Sequence, residues 1–102
     1  MEEVHPAAKP ANFTLAQNYP NPFNQGTTLQ FTLPEAGEVE GTIYDVASRV
    51  VRRMRGGIFT AGTHFWRWDG RDEADRPAAS GLYLVRLRFR QQHKVIKLQL
   101  LR

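Results

Sequence analysis

The sequence predicts an all-β fold, an immunoglobulin-like sandwich of about seven short antiparallel strands. Three observations carry this. Thr27–Leu33 and Leu82–Arg90 alternate apolar and polar residues, the period-two pattern of half-buried strands. Turn signals recur along the chain at roughly the 8–12-residue spacing of sandwich folds. No segment shows the 3.6-residue periodicity of an amphipathic helix. At 102 residues the chain suits one domain with one core.

The elements follow in order. Residues 1–11 lack periodicity and include Pro6 and Pro10, so they read as a linker or cloning remnant. Phe13–Ala16 fits a short first strand. Asn18-Tyr19-Pro20-Asn21-Pro22-Phe23-Asn24 follows. Its two prolines lack N–H groups and fix φ, so this segment is a stiff bend, with Tyr19 and Asn21 pushed toward extended backbone. Thr27–Leu33 then places Leu29, Phe31 and Leu33 on one face. Pro34-Glu35-Ala36-Gly37 turns the chain into Glu38–Tyr44, which faces Val39, Gly41 and Ile43 inward.

Asp45–Arg49 is the next turn and Val50–Met54 the next strand, broken by Gly56-Gly57. After Ala61-Gly62, Thr63–Trp68 sets His64, Trp66 and Trp68 on one face, with Phe65 and Arg67 on the other. Asp69-Gly70 closes that strand, and a charged, small-residue loop runs from Arg71 to Gly81. Leu82–Arg90 faces Tyr83, Val85, Leu87 and Phe89 inward and Arg86, Arg88 and Arg90 outward. Gln91-Gln92-His93 turns into Lys94–Leu101, with Ile96, Leu98 and Leu100 inward. The expected core is Leu29, Phe31, Leu33, Val39, Ile43, Val51, Trp66, Trp68, Tyr83, Val85, Leu87, Phe89, Ile96, Leu98 and Leu100.

Composition excludes several classes. There is no cysteine, hence no disulfide or thiol chemistry. No apolar run approaches the ~18 residues a membrane span needs. Met1 is followed by Glu2 and Glu3 without an apolar segment, so no signal peptide is expected here, and an exported parent would carry it upstream. His5, His64 and His93 are dispersed, and Ser48 and Ser80 sit in turns. No catalytic constellation and no cofactor site is expected.

The charge is asymmetric. Residues 1–45 hold six acids and one lysine, and residues 46–102 hold four acids and thirteen bases. Arginines cluster at Arg49, Arg52, Arg53 and Arg55, and again at Arg86, Arg88 and Arg90. One reading is an anionic partner such as nucleic acid, lipopolysaccharide or an acidic protein surface. The other, favoured by alternation, is outward-facing charge complemented by Glu38 and Glu40 on a neighbouring strand. No nucleic acid partner is therefore expected.

Two constellations are candidate sites. Asp69, Asp72 and Asp75 lie in a glycine-containing loop and offer oxygen ligands for Ca²⁺. Against this, Arg71 and Arg76 are interleaved, and the spacing lacks the alternate-residue pattern of a calcium loop. Trp66 and Trp68 share a strand face; exposed, they would stack on sugar rings as in a carbohydrate-binding module, whereas sandwich cores also place large aromatics there. The core reading is preferred for at least one.

Six motifs occur in a fixed order: Asn18–Asn24; Ile43-Tyr44-Asp45 with Arg49-Val50-Val51; Ala61-Gly62-Thr63-His64; Trp68-Asp69-Gly70-Arg71-Asp72; Ala79-Ser80-Gly81-Leu82-Tyr83; and Lys97-Leu98-Gln99-Leu100-Leu101-Arg102. Together they resemble the C-terminal sorting domain of the type IX secretion system (type A), related to the immunoglobulin-like domain of flagellar hook-capping proteins. The resemblance covers Leu15 to Arg102. Ser48 and Asp75 replace glycines of the pattern, at positions expected to adopt left-handed backbone, and Gln25 replaces a proline.

The resemblance implies that residues 12–102 form a non-catalytic module of a larger exported protein, with an upstream enzyme such as a glycoside hydrolase. It also implies periplasmic folding, recognition by outer-membrane export and attachment machinery, and a secreted, cell-surface location with anchoring through an anionic lipopolysaccharide. The close at Leu101-Arg102 fits a terminal position. Candidate recognition residues are Asp45, Arg49, Lys97, Leu98, Leu100, Leu101 and Arg102. A spacer domain without a receptor is the structural alternative.

Overall fold

The computed structural model of the chain describes residues 11–102; the expected linker, apart from Ala11, lies outside them. Eight strands run β1 (Thr14–Leu15), β2 (Thr27–Leu33), β3 (Gly37–Asp45), β4 (Val50–Arg53), β5 (Gly57–Phe59), β6 (Gly62–Trp68), β7 (Gly81–Phe89) and β8 (Gln92–Leu100). They form two antiparallel sheets, one ordered β1-β2-β6 and the other β4-β3-β7-β8, with β5 also paired to β3. This is the expected immunoglobulin-like sandwich, with β5 added.

β5 was hidden because Gly56-Gly57 reads as a break. Instead, Gly57, Ile58 and Phe59 pair with Val39, Glu38 and Gly37, so β3 carries β4 and β5 in succession along one edge. The β7–β8 hairpin is tighter than expected. Phe89 pairs with Gln92, and Arg90 takes a left-handed φ of 57° to close the two-residue turn.

Alternation sets the core. Inward residues of β2, β3, β7 and β8 are almost fully buried, among them Leu29, Phe31, Leu33, Val39, Ile43, Val85, Leu87, Leu98 and Leu100. Of the expected core, only Val51, Trp66 and Ile96 are partly buried. Val51 falls at a bulge, where the β3–β4 register shifts between Ile43 and Tyr44, which turns a side chain away from its alternating position.

The core has two lobes. One gathers Phe23, Trp68, Tyr83, Leu98 and Leu100 among others; the second gathers Phe13, Phe31, Leu33, Val39, Leu87 and Phe89. Trp66 packs against both. Its ring occupies space left by Gly41 on the facing sheet: a Cβ there would overlap Trp66 Cζ3. A strand-interior glycine that usually weakens a sheet here accommodates the indole bridging the two lobes.

Candidate functional site

The proline segment closes the end of the sandwich. Phe23 is 3% exposed and meets Trp68 edge-on at 5.6 Å between ring centroids. Its backbone N–H donates to Gln99 O at 3.0 Å, and its carbonyl accepts from Leu101 N–H at 2.8 Å. The Asn21 side chain accepts from Gln99 N–H at 3.0 Å, and Gln17 Nε2 donates to the Lys97 carbonyl at 2.8 Å. The second half of β8 would otherwise present an open sheet edge; residues 17–23 satisfy it.

Asn18, although polar, is buried. Its amide donates to Thr27 Oγ1 at 2.9 Å and to Pro20 O at 3.2 Å, while the Thr27 hydroxyl donates to Pro20 O at 2.8 Å. The Tyr19–Pro20 and Asn21–Pro22 peptide bonds are both cis.

The C-terminal residue completes this closure. Arg102 donates from Nη2 to Gly70 O at 2.6 Å and from Nε to Ala78 O at 2.7 Å. Its backbone N–H donates to Ser80 Oγ at 2.8 Å. The guanidinium therefore ties together the loops that enter and leave the charged segment. Leu98 and Leu100 are fully buried, so their side chains are core residues; this corrects the expectation of them as recognition residues. Lys97 and Leu101 face solvent, Leu101 at 50% exposure.

Asp45 and Asp72 build two turns of the same design, Asp45-Val46-Ala47-Ser48-Arg49 and Asp72-Glu73-Ala74-Asp75-Arg76. In the first, Asp45 Oδ1 accepts from the N–H groups of Ala47 and Arg49, each at 2.9 Å. In the second, Asp72 Oδ1 accepts from Ala74 at 2.9 Å and Arg76 at 3.0 Å. Each aspartate also pairs with the arginine four residues on, Asp45 at 2.9 Å and Asp72 at 3.6 Å. Ser48 and Asp75 hold matching left-handed φ values of 66° and 63°.

The N–H of Arg49 above all, with help from that of Ala47 and from the Arg49 guanidinium, holds the Asp45 carboxyl below its ordinary range against the opposing effect of burial. The N–H of Arg76 leads the same effect on Asp72. Both arise from hydrogen bonds that favour the charged form.

This arrangement corrects the calcium reading. Asp72 Oδ1 is committed to two backbone N–H groups, Asp69 Oδ1 accepts from Arg71 N–H at 3.0 Å, and Asp75 serves as the left-handed residue. Among the described residues, no cluster of three or more His, Cys, Asp or Glu side chains is placed to hold a metal ion. Asp45 and Arg49, expected as recognition residues, sit together as a turn clamp.

The tryptophans divide. Trp68 is 2% exposed, donates from Nε1 to Arg71 O at 2.9 Å and packs edge-on against Tyr83 at 5.4 Å. It cannot stack on a sugar; this corrects the reading that offered it as a platform. Trp66 is partly buried, and meets Phe31 and Phe59 at 5.3 and 5.9 Å. Its remaining surface lines a groove of about 490 Å³ with Arg52, Arg53, Met54, Arg55, Arg67, Trp68 and Asp69. That groove brings together residues from β4 and β6, which belong to opposite sheets, and alternation within one strand could not reveal it.

On the outer face of the larger sheet, Arg88 pairs with Glu40 at 2.8 Å and Arg90 with Glu35 at 3.4 Å. The Glu40 side chain is the main reason the Arg88 guanidinium is held still more firmly protonated than usual.

A model of the FlgD Ig-like domain matches residues 17–92. This chain belongs to the FlgD Ig-like domain family. The FlgD structure from P. aeruginosa is similar with a TM-score of 0.59 at 27% identity, over 72% of this chain and 58% of that one. Dimeric latent PorU from Porphyromonas gingivalis superposes with a TM-score of 0.70 at 17% identity, over 89% of this chain and 10% of PorU. PorZ, an essential surface component of the type IX secretion system of the same bacterium, superposes with a TM-score of 0.58 at 22% identity, over 94% of this chain and 12% of PorZ. No curated protein sequence matches this chain. The likeness to PorU and PorZ is one of fold. This FlgD-type domain thus spans a small share of both and about three-fifths of the FlgD chain.

Proposed function

We propose that this FlgD-type Ig domain is a non-catalytic sorting and attachment module of a larger exported protein. On this reading, type IX machinery at the outer membrane recognises it after periplasmic folding and carries the parent, an enzyme such as a glycoside hydrolase, to the cell surface, where an anionic lipopolysaccharide retains it. One observation carries the reading: six ordered motifs resembling the sorting domain fall on a fold also found in PorU and PorZ. Most motif residues do structural work, as the two aspartate turns, the Phe23 closure and the Arg102 ties illustrate. Recognition is therefore assigned to the exposed members of the final motif, Lys97 and Leu101.

The test fuses residues 12–102 to a periplasmic reporter in a bacterium carrying the type IX system. The expected result is reporter at the surface or in the medium. Retention of a folded fusion in the periplasm would sink the proposal. Lys97→Glu is the informative variant, because Lys97 is exposed; it should block export without changing Tm. Charge reversal at Arg102 is less useful, since it also cuts the bonds to Gly70 and Ala78.

A further inference from the structure

Most strand edges of this sandwich are closed or guarded. Residues 17–23 cover the second half of β8, and Lys94 and Lys97 flank its first half, as lysines do on open edges. β4 is covered by the Asp72 turn: Glu73 N–H donates to Val51 O at 2.9 Å, and Arg53 N–H donates to Glu73 Oε2 at 2.7 Å. β1 and β5 are two and three residues long, too short to template a partner strand.

β6 has none of these protections. Its seven residues pair only with β2, and among the described residues no backbone bond reaches its other side. The groups left open follow from β2. Thr28 exchanges both backbone bonds with Tyr19, and Gln30 O accepts from Ala16 N–H, so the even residues of β2 bond away from β6 and the odd ones toward it. Leu29 and Phe31 lie opposite Trp66 and His64, which therefore bond β2. The N–H and C=O groups of Thr63, Phe65 and Arg67 point outward. Phe65, the middle residue of the strand, is 63% exposed on the outer face. Arg67 carries the strand's one fixed charge, but its guanidinium lies over Gly26, on the β2 side, and does not guard the edge.

We infer that β6 pairs antiparallel with β6 of a second copy of this chain, joining two three-stranded sheets into one. A two-fold axis at Phe65 sets that residue opposite itself and Thr63 opposite Arg67 of the second copy. Each open N–H then donates and each open C=O accepts. The two Phe65 rings meet on the outer face beside Gln30, and no like charges are opposed. An axis at Arg67 would set two arginines against each other, and one at Thr63 would separate the rings. An extended strand of another protein would satisfy the same backbone groups but lacks this match of the strand with itself. Seven residues span only about 23 Å, a small interface, so the dimer is weak and forms at high micromolar concentration. β8, which carries Lys97, lies in the other sheet, and the pairing leaves the surface assigned to export free.

The test is sedimentation velocity of the full chain from about 10 to about 500 µM, with amide hydrogen exchange followed by NMR at both ends of that range. Reversible growth to a dimer is expected. The N–H groups of Thr63, Phe65 and Arg67 should slow at least about threefold at the higher concentration, while those of His64 and Trp66, already bonded to β2, change little. Phe65→Lys opposes two lysines and should weaken association at least about tenfold. Val95→Lys adds the same charge at a residue of β8 that is 54% exposed and should leave association unchanged. A monomer throughout the range overturns the inference. So does a dimer whose three outer N–H groups exchange as fast as in the monomer, or one that Val95→Lys weakens as much as Phe65→Lys. Both positions are exposed, so both variants should melt like the parent; the exchange pattern of the parent decides the matter even if one does not fold.

Discussion

Truncating Phe23 to alanine asks whether the proline segment is part of the core or a surface feature that merely passes beside it. The ring is 3% exposed and sits against Trp68 at 5.6 Å in one lobe of the core. Phe→Ala at such a site costs about 3–5 kcal/mol, the transfer of the ring plus the cavity it leaves. Of this, about 0.5–1.5 kcal/mol belongs to the edge-to-face pair. Alanine keeps both backbone bonds to β8, so the loss reports the side chain alone. In a domain of this size each kcal/mol moves Tm by roughly 4–8 °C, which makes a fall of at least about 12 °C the expectation.

Urea unfolding followed by circular dichroism should show a lower midpoint with an unchanged slope. Tyr19→Ala is the control from the same segment: Tyr19 is 80% exposed, and its loss should stay within about 0.5 kcal/mol. A cost below about 1 kcal/mol for Phe23→Ala would refute the reasoning. So would a larger loss for Tyr19 than for Phe23, since the segment would then be held from its outer side.

Other outcomes follow from the same geometry. Ser48→Gly, at a φ of 66°, should stabilise by about 0.5–1 kcal/mol in thermal unfolding, since glycine removes the left-handed penalty but adds chain entropy; Asp75→Gly should gain less, because aspartate tolerates that region. Acidification should lower the urea midpoint: the folded pKa values of Asp45 and Asp72 lie below the ordinary 3.8, so their stabilisation is complete above that value and is lost as pH falls through the folded values. Asp45→Asn with Asp72→Asn should flatten this acid dependence, and an unaltered slope would count against the twin turns as its source. Gly41→Ala should cost about 1–3 kcal/mol in chemical denaturation by forcing the added methyl against Trp66.

Alternation made the strands and most of the core readable, because each faces one sheet and buries one side. Leu29, Phe31 and Leu33 on β2, or Val85, Leu87 and Phe89 on β7, need nothing beyond period two. Phe13, Phe23 and Ala78 are buried too, yet Phe23 and Ala78 lie outside any strand and Phe13 borders a two-residue one, too short for periodicity to mark. Phe23 is buried because residues 17–23 dock against the terminal strand, a contact between positions nearly eighty apart (|i−j| of 78 for Asn21 with Gln99). The left-handed positions were legible at Ser48 and Asp75, where a turn pattern asks for glycine. They were not legible at Arg90, whose conformation follows from the β7–β8 register. The two tryptophan environments also separate only in three dimensions: Trp68 packs at the closed end with Phe23, while Trp66 bridges the two lobes over Gly41.

The basic half of the sequence is regrouped by folding. Arg49, Arg76, Arg53, Arg88 and Arg90 each have an acidic partner, and Arg102 spends its donors on backbone carbonyls. Exposed pairs of this kind contribute little stability, but they neutralise the charge a distant polyanion would feel. The sequence cluster Arg49–Arg55 therefore does not act as a unit: Arg49 pairs with Asp45, Arg53 with Glu73, and Arg52 donates to the Asp72 carbonyl. Among the described residues, Lys97 and Arg86 lie on the outward face of β7–β8 without an acidic partner, Arg86 bonding His93 instead.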